Sequence, residues 1–157
     1  MEFWTGLLRD WEDKPQMDNE WSKWPITNKQ IRMTELLYKD LSYKITGLAY
    51  NIDNTIGYGQ TEQTYGDALE ELLKENGIKY QREVYFPILI GDKLIKREYF
   101  DFLIDDKIIV ELKISDRNYK KACTQIFKYL KSSGTKLGLI IRFTNEGVRI
   151  KRIPNYY

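Results

Sequence analysis

The run Tyr-Phe-Asp-Phe-Leu-Ile-Asp-Asp-Lys-Ile-Ile-Val-Glu-Leu-Lys-Ile, residues 99–114, constrains this chain more than any other stretch. Its Ile, Leu, Val and Phe content reads as two buried β-strands, 99–104 and 108–114, broken by the turn Asp105-Asp106-Lys107. Three charged residues, Asp101, Glu111 and Lys113, interrupt that apolar hairpin. With a three-residue loop, Ile104 pairs with Ile108 and Asp101 falls opposite Glu111. Lys113 then shares the face of Glu111, because strand side chains alternate. Two carboxylates about 5 Å apart repel by about 3 kcal/mol at an effective dielectric of about 20, which a folded chain offsets only with a cation between them. A hard ion such as Mg²⁺ takes one or two carboxylates together with water and phosphate oxygens. A two-residue loop would instead slip the register by one and put the carboxylates on opposite faces. The hairpin would then be an exposed ribbon with a Glu–Lys pair on its wet side.

Composition narrows the chemistry further. The 157 residues contain no histidine and one cysteine, Cys123. Ser-His-Asp and Cys-His catalysis, His-ligated zinc, an internal disulfide and cysteine-ligated clusters are thereby excluded. What is left are carboxylates, Lys, Tyr and hydroxyls, which favour hard metals. Arg9 and Asp10 interrupt the first apolar stretch, and no apolar run is long enough to span a bilayer, so a cytoplasmic location without membrane contact is expected. The net charge of +2 is unevenly spread. From Lys113 to Tyr157, eleven Lys and Arg face only Asp116 and Glu146. A basic end following a carboxylate cluster suits a polyanion, although a charge run also serves as a solvated face.

Periodicity predicts one α/β domain over 28–157 with the element order ααβββαββ and a mixed sheet flanked by helices. Ile31, Leu37, Leu41, Ile45, Leu48 and Ile52 recur at helical spacing over 29–53, and a second helix runs over 61–75 to Asn76-Gly77. Strands follow at 79–90, 93–104 and 108–114, then a helix at 117–132 and strands at 136–143 and 148–153. Residues 1–27 stand apart, holding Trp4, Trp11, Trp21 and Trp24. Phe3, Trp4, Leu7, Leu8 and Trp11 suggest a short amphipathic helix there, either a docking or dimerisation element or a cap on the domain's own core.

Glu62 and Tyr65 sit three residues apart in the first turn of the second helix, where an acid also suits the helix dipole. In the helix 117–132, Gln125 and Tyr129 lie at i, i+4, with Lys121 and Lys128 alongside. That stripe could hold a nucleic-acid strand or be the basic outer face of an ordinary amphipathic helix.

Taken together, these elements resemble a known family. Gly59-x-x-Glu62-x-x-Tyr65 with Ala68-Leu69, then Asp101, Glu111-Leu112-Lys113 and Gln125-x-x-x-Tyr129-Leu130-Lys131, resemble the GxxExxY protein family of the PD-(D/E)XK nuclease superfamily. Gly134 and Leu137-Gly138-Leu139-Ile140-Ile141 extend the likeness, which spans residues 34–153. The Gln-x-x-x-Tyr element is similar to that of the lambda-exonuclease and RecB-like branch. Three positions depart from the pattern: Phe100 stands where the superfamily name has proline, and Arg142 and Thr144 flank Phe143 where members show Asn-Phe-Gly.

The resemblance implies a restriction-endonuclease-like fold and phosphodiester hydrolysis in DNA, leaving 5′-phosphates. Asp101 and Glu111 would ligate Mg²⁺ or Mn²⁺ with the Leu112 carbonyl, and Glu62 would complete the site through a water or a second ion. Lys113 would position or deprotonate the attacking water. Gln125 and Tyr129 would place the scissile strand. Tyr65, Lys121, Lys128, Arg149, Lys151 and Arg152 complete the set expected to contact nucleic acid. Two rival readings are a catalytically silent nucleic-acid-binding module and a protein-interaction adaptor working through the tryptophan-rich leader.

Overall fold

The computed structural model describes residues 37–115 and 118–155. Its elements come in the expected order: α1 (Lys39–Ile56), α2 (Glu62–Glu75), β1 (Tyr80–Ile90), β2 (Lys93–Ile104), β3 (Ile108–Lys113), α3 (Tyr119–Ser133), β4 (Leu137–Thr144) and β5 (Gly147–Pro154). The short helix expected within 1–27 lies outside the described residues, as do positions 29–36 of the first long helix. Over the rest of that helix the expected limits need correction. Tyr38 takes a left-handed φ of 51°, so no helix runs through it, and α1 begins at Lys39. At the other end the helix continues past Asn54 until Gly57, at φ 71°, turns the chain away. Among the described residues, no helix is long and apolar enough to cross a membrane.

The five strands form one mixed sheet in sequence order, β1-β2-β3-β4-β5. Only β3 and β4 run parallel, joined across α3, and the other neighbours are antiparallel. The β2–β3 hairpin closes as the turn length predicts: Ile104 pairs with Ile108, Leu103 with Ile109 and Phe102 with Val110. Asp105 and Asp106 both adopt positive φ there, a conformation that Asp tolerates.

Each sheet face carries its own core. Ile45, Ala49 and Ile52 of α1 and Tyr65, Leu69 and Leu73 of α2 pack on Phe102, Val110, Leu112, Leu139, Ile141 and Phe143. On the opposite face, Ala122, Ile126, Tyr129 and Leu130 of α3 pack on Phe100, Ile109, Ile140 and Ile153. The sheet is thus sandwiched between helices, with α1 and α2 on one side and α3 on the other.

One strand changes sides. Phe100 and Phe102 are two residues apart on β2 and would share a face in a regular strand, yet Phe100 packs under α3 and Phe102 under α1 and α2. The reversal occurs at Asp101, and Glu83, between the Phe102 partner Arg82 and the Phe100 partner Val84, has a φ of 53°. Beyond this point β2 pairs only with β1, and the two continue as a ribbon exposing Tyr85, Tyr99, Leu89, Ile90 and Ile95.

α3 lies close against the sheet because β4 carries no side chain at Gly138. A Cβ built there would stand 2.3 Å from Ile126 Cγ2 and 3.2 Å from Ile109 Cγ2. Gly138→Ala is therefore expected to destabilise the protein by about 1–3 kcal/mol through overpacking. Ile126→Leu in the same chain, which removes the Cγ2 methyl that the new Cβ meets, should recover part of that loss. Urea unfolding of the parent and the two variants checks this, and a neutral Gly138→Ala would show that α3 can move off the sheet at no cost.

Candidate active site

Four segments meet at the C-terminal end of β3. Glu62 opens α2, where Thr61 caps the helix by accepting the Thr64 N–H at 3.1 Å. Tyr65 anchors the preceding loop: its hydroxyl donates to the Gly57 carbonyl at 2.8 Å, and its ring stacks on Phe143 with centroids 3.9 Å apart. Glu111 and Lys113 alternate along β3 on the α3 side, while Leu112 between them points into the other core. Lys121 and Gln125 come from α3. Glu62, Glu111, Lys113, Lys121 and Gln125 line one cavity of about 350 Å³, together with Ile114, Ser115 and Asn118.

Asp101 reaches this site through the backbone. Its Oδ2 accepts the Leu112 N–H at 2.6 Å, where the paired ladder between β2 and β3 has ended. The carboxylate thus caps a backbone donor that the turned-over strand leaves behind.

Lys113 ties the other oxygens together. Its Nζ lies 2.9 Å from Glu111 Oε1, 2.8 Å from the Leu112 carbonyl and 3.4 Å from Glu62 Oε2. Burial opposes the charge of this ammonium, but Glu111, Glu62 and Asp101 outweigh it and hold the pKa above its ordinary value. Glu111 goes the other way. Burial, and then the nearby Asp101 carboxylate, push its pKa up to about 7 against the opposing pull of Lys113. Burial likewise raises the pKa of Asp101, opposed by the Leu112 N–H and Lys113.

The donor set fits a hard divalent cation. Glu111 Oε2 is buried and has no hydrogen-bond partner, an arrangement that costs about 1–3 kcal/mol unless something positive meets it. Among the described residues no three His, Cys, Asp or Glu side chains converge on one point. The protein ligands on offer are accordingly Asp101, Glu111 and the Leu112 carbonyl, with Glu62 farther off. Three of these four oxygen sources already surround the Lys113 ammonium.

Not every residue expected at the site faces it. Tyr65 is fully buried beneath Phe143, and Tyr129 is 8% exposed with its ring against Phe86 and Phe100. Both build the core rather than a ligand surface, which corrects the nucleic-acid role expected of them. Arg152 also points elsewhere: it binds the Ser42 hydroxyl and the Leu37 carbonyl on the α1 side. Lys151 faces α3, near Cys123 and Arg142, and burial lowers its pKa. Arg149 shares that side by strand alternation and pairs with Glu146. Lys128 is exposed on α3 but does not line the cavity.

Two residues without a role in the sequence reading matter here. Arg142 pairs in register with Lys113 on one side and Arg149 on the other, and stacks over Tyr119 at 4.3 Å. The Lys113–Arg142–Arg149 row could have been read from strand alternation once β4 and β5 were placed. Glu98 is buried beside Gln125, and no sequence signal separates it from the charged run Lys96-Arg97-Glu98.

The chain matches the PD-(D/E)XK nuclease superfamily over residues 39–153, close to three-quarters of its length, and belongs to it. Members of this superfamily hydrolyse phosphodiester bonds and generally use divalent metal ions. The crystal structure of SSO0001 aligns with 81% of this chain at 21% identity and a TM-score of 0.45, and the aligned part spans 62% of that structure's chain. No curated protein matches the chain.

Stability of the metal-free protein should report the crowding of Glu111. Because its folded pKa is raised, its favourable contribution is complete below about pH 4.5 and is lost as pH rises towards 7. Glu111→Gln in chelator is thus expected to stabilise the protein by up to about 3 kcal/mol at pH 8 and to have little effect near pH 4.5. Lys113, held above its ordinary value, stays charged throughout that range. Thermal unfolding at the two pH values checks this; an equal effect at both would mean that charge repulsion is not what Glu111 contributes.

Proposed function

We propose that this chain is a divalent-metal-dependent nuclease acting on DNA, with Mg²⁺ as its usual ion and Mn²⁺ able to substitute. The observation that carries the reading is the Lys113 ammonium clasped by Glu111, the Leu112 carbonyl and Glu62, with Asp101 across β3 and Glu111 Oε2 buried without a partner. Asp101, Glu111 and the Leu112 carbonyl would hold the ion, and Glu62 would bind through a water or a second ion. When bound, the ion supplies Lewis-acid polarisation of the phosphate and lowers the pKa of water.

The side chains of the chain itself do the rest. Lys113, protonated, offers N–H donors to the attacking water and to the non-bridging phosphate oxygens as charge builds on them. Gln125 stands in the cavity wall beside the reacting groups. Lys121 and Lys128 lie seven residues apart on α3, about 10.5 Å along its axis, and would track a backbone past the carboxylates. The row Lys113, Arg142 and Arg149 supports a second stretch of backbone across the sheet, with Lys151 on the same side. Within the superfamily, the Gly59-x-x-Glu62-x-x-Tyr65 pattern supports placement in the GxxExxY family. Residues 1–27 are proposed as an extension to the nuclease domain 28–157, available to a partner or to a second copy through Trp4, Trp11, Trp21 and Trp24.

Cleavage of a panel of single-stranded, duplex and branched DNA, with and without Mg²⁺ or Mn²⁺, tests the reading. Asp101→Asn keeps an oxygen for the Leu112 N–H while removing the charge. It is expected to lower cleavage by roughly three orders of magnitude with DNA affinity almost unchanged, since the basic surface stays. Equal loss of cleavage and binding would sink that assignment.

A second variant addresses the strand path. Lys121→Ala with Lys128→Ala should weaken binding to all sequences and reduce the salt slope by up to about two units. An unchanged slope would move the DNA path to Arg142, Arg149 and Lys151.

A further inference from the structure

The loop between α1 and α2 leads straight into the candidate site, because Glu62, four residues after Tyr58, lines the cavity with Glu111 and Lys113. Its backbone is fixed on both sides of Tyr58. Gly57 and Gly59 hold φ of 71° and 98°, values that a residue with a Cβ rarely takes. The Tyr65 hydroxyl donates to the Gly57 carbonyl at 2.8 Å and accepts the Gln60 N–H at 3.4 Å. The Gln60 side chain adds a bond from Nε2 to the Ile56 carbonyl at 3.3 Å. Tyr65 itself is held in place, since it is fully buried with its ring stacked on Phe143.

Tyr58 is what this clamp presents. It is 56% exposed, and its side chain neither bonds to nor stacks on any other described residue. Exposed apolar side chains scattered singly are common on protein surfaces and need no function. The setting of this one differs: two glycines and a buried hydroxyl hold a large flat ring in solvent beside the cavity. The neighbouring chain narrows what that ring can meet. From Asn54 to Thr61 no residue is charged. The loop therefore offers phosphate no cation, and what it does offer is a π-face. Four residues span at most about 14 Å. Bases follow one another every ~3.4 Å along a stacked strand, so one within about four nucleotides of a phosphate at Glu62 and Lys113 comes within reach of the ring.

We propose that Tyr58 stacks on a base of the substrate close to the scissile phosphate, so that the strand is unpaired at the point of cleavage. Resting on the nuclease reading above, this names the form of DNA that the carboxylates and Lys113 leave open. Within a duplex the faces of each base are covered by its neighbours, and a protein meets only edges and backbone. A base in a single strand has a face to give, and every base has one, so the contact selects strand form and not sequence.

Binding in chelator, where no strand is cut, tests this with the full chain and three fluorescently labelled ligands. They are a mixed-sequence single strand, a strand of the same length built from abasic units, and the matching duplex. Tyr58→Leu keeps an apolar side chain and removes the π-face. It is expected to weaken single-strand binding about tenfold and to change binding of the duplex and of the abasic strand by less than about twofold. Tyr58→Phe should stay within about twofold of the parent on all three, because the hydroxyl has no partner among the described residues. Thermal unfolding of both variants should match the parent, as the ring is not part of the core. Parental single-strand affinity in Tyr58→Leu overturns the proposal, as does an equal loss on all three ligands. So does a parent that binds the abasic strand as tightly as the normal one.

Cleavage assays separate this from the reading it rests on. A protein that cuts duplex and single strand alike, with Tyr58→Leu as active as the parent on both, is a nuclease without this stacking residue. The tenfold single-strand loss in a protein that cuts no DNA leaves the stacking standing and removes the nuclease reading.

Discussion

One ammonium keeps the candidate site of this fold together. Lys113 draws Glu111 from its own strand, the Leu112 carbonyl from the backbone and Glu62 from the start of α2 onto a single point. Without it, two crowded carboxylates would face each other across the end of a sheet with nothing to offset their repulsion. The geometry explains why the raised pKa of Glu111 and the raised pKa of Lys113 coexist. Burial disfavours both charges, and only the lysine has enough opposite charge around it to overcome that.

The second constraint is the reversal of β2 at Asp101. Up to Phe102 the strand is an ordinary member of the sheet, paired on both sides. At Asp101 it rolls over, moves Phe100 to the α3 core and parts from β3. The two strands separate where the site needs room, and the carboxylate takes the N–H that separation leaves unpaired. Burial of Glu98 follows from the same reversal, because it places residues 98 and 100 under α3.

Much of this was legible in the chain. The three-residue turn fixed the pairing of Ile104 with Ile108, and alternation then put Glu111 and Lys113 on one face. The order of elements followed from periodicity and glycine punctuation, with α1 misplaced at its start because nothing local signals the left-handed Tyr38. What local pattern cannot carry is the long-range partner. Tyr65 has the spacing of a contact residue, yet its ring is matched to Phe143, 78 positions later, and is lost to the core. Arg149, Lys151 and Arg152 read as one basic stretch, but strand parity sends Arg152 to α1 and the others to α3. Nothing local marks Glu98, because the roll at Asp101 depends on Glu83 opposite, itself in an uncommon conformation.

The bond from the Leu112 N–H to Asp101 gives that position two separate reasons to be kept. Under the proposed function one is chemical and vanishes with the activity; the other is architectural and does not. A descendant that abandoned cleavage would be free to drift at Lys113 and Glu62, whose charges serve only the site. It would still be held at position 101 to a side chain with an oxygen to offer, Asp or Asn, for as long as β2 turns away from β3 there. Retention of this one aspartate in a relative is therefore poor evidence that the relative still cuts, whereas loss of the lysine is good evidence that it has stopped.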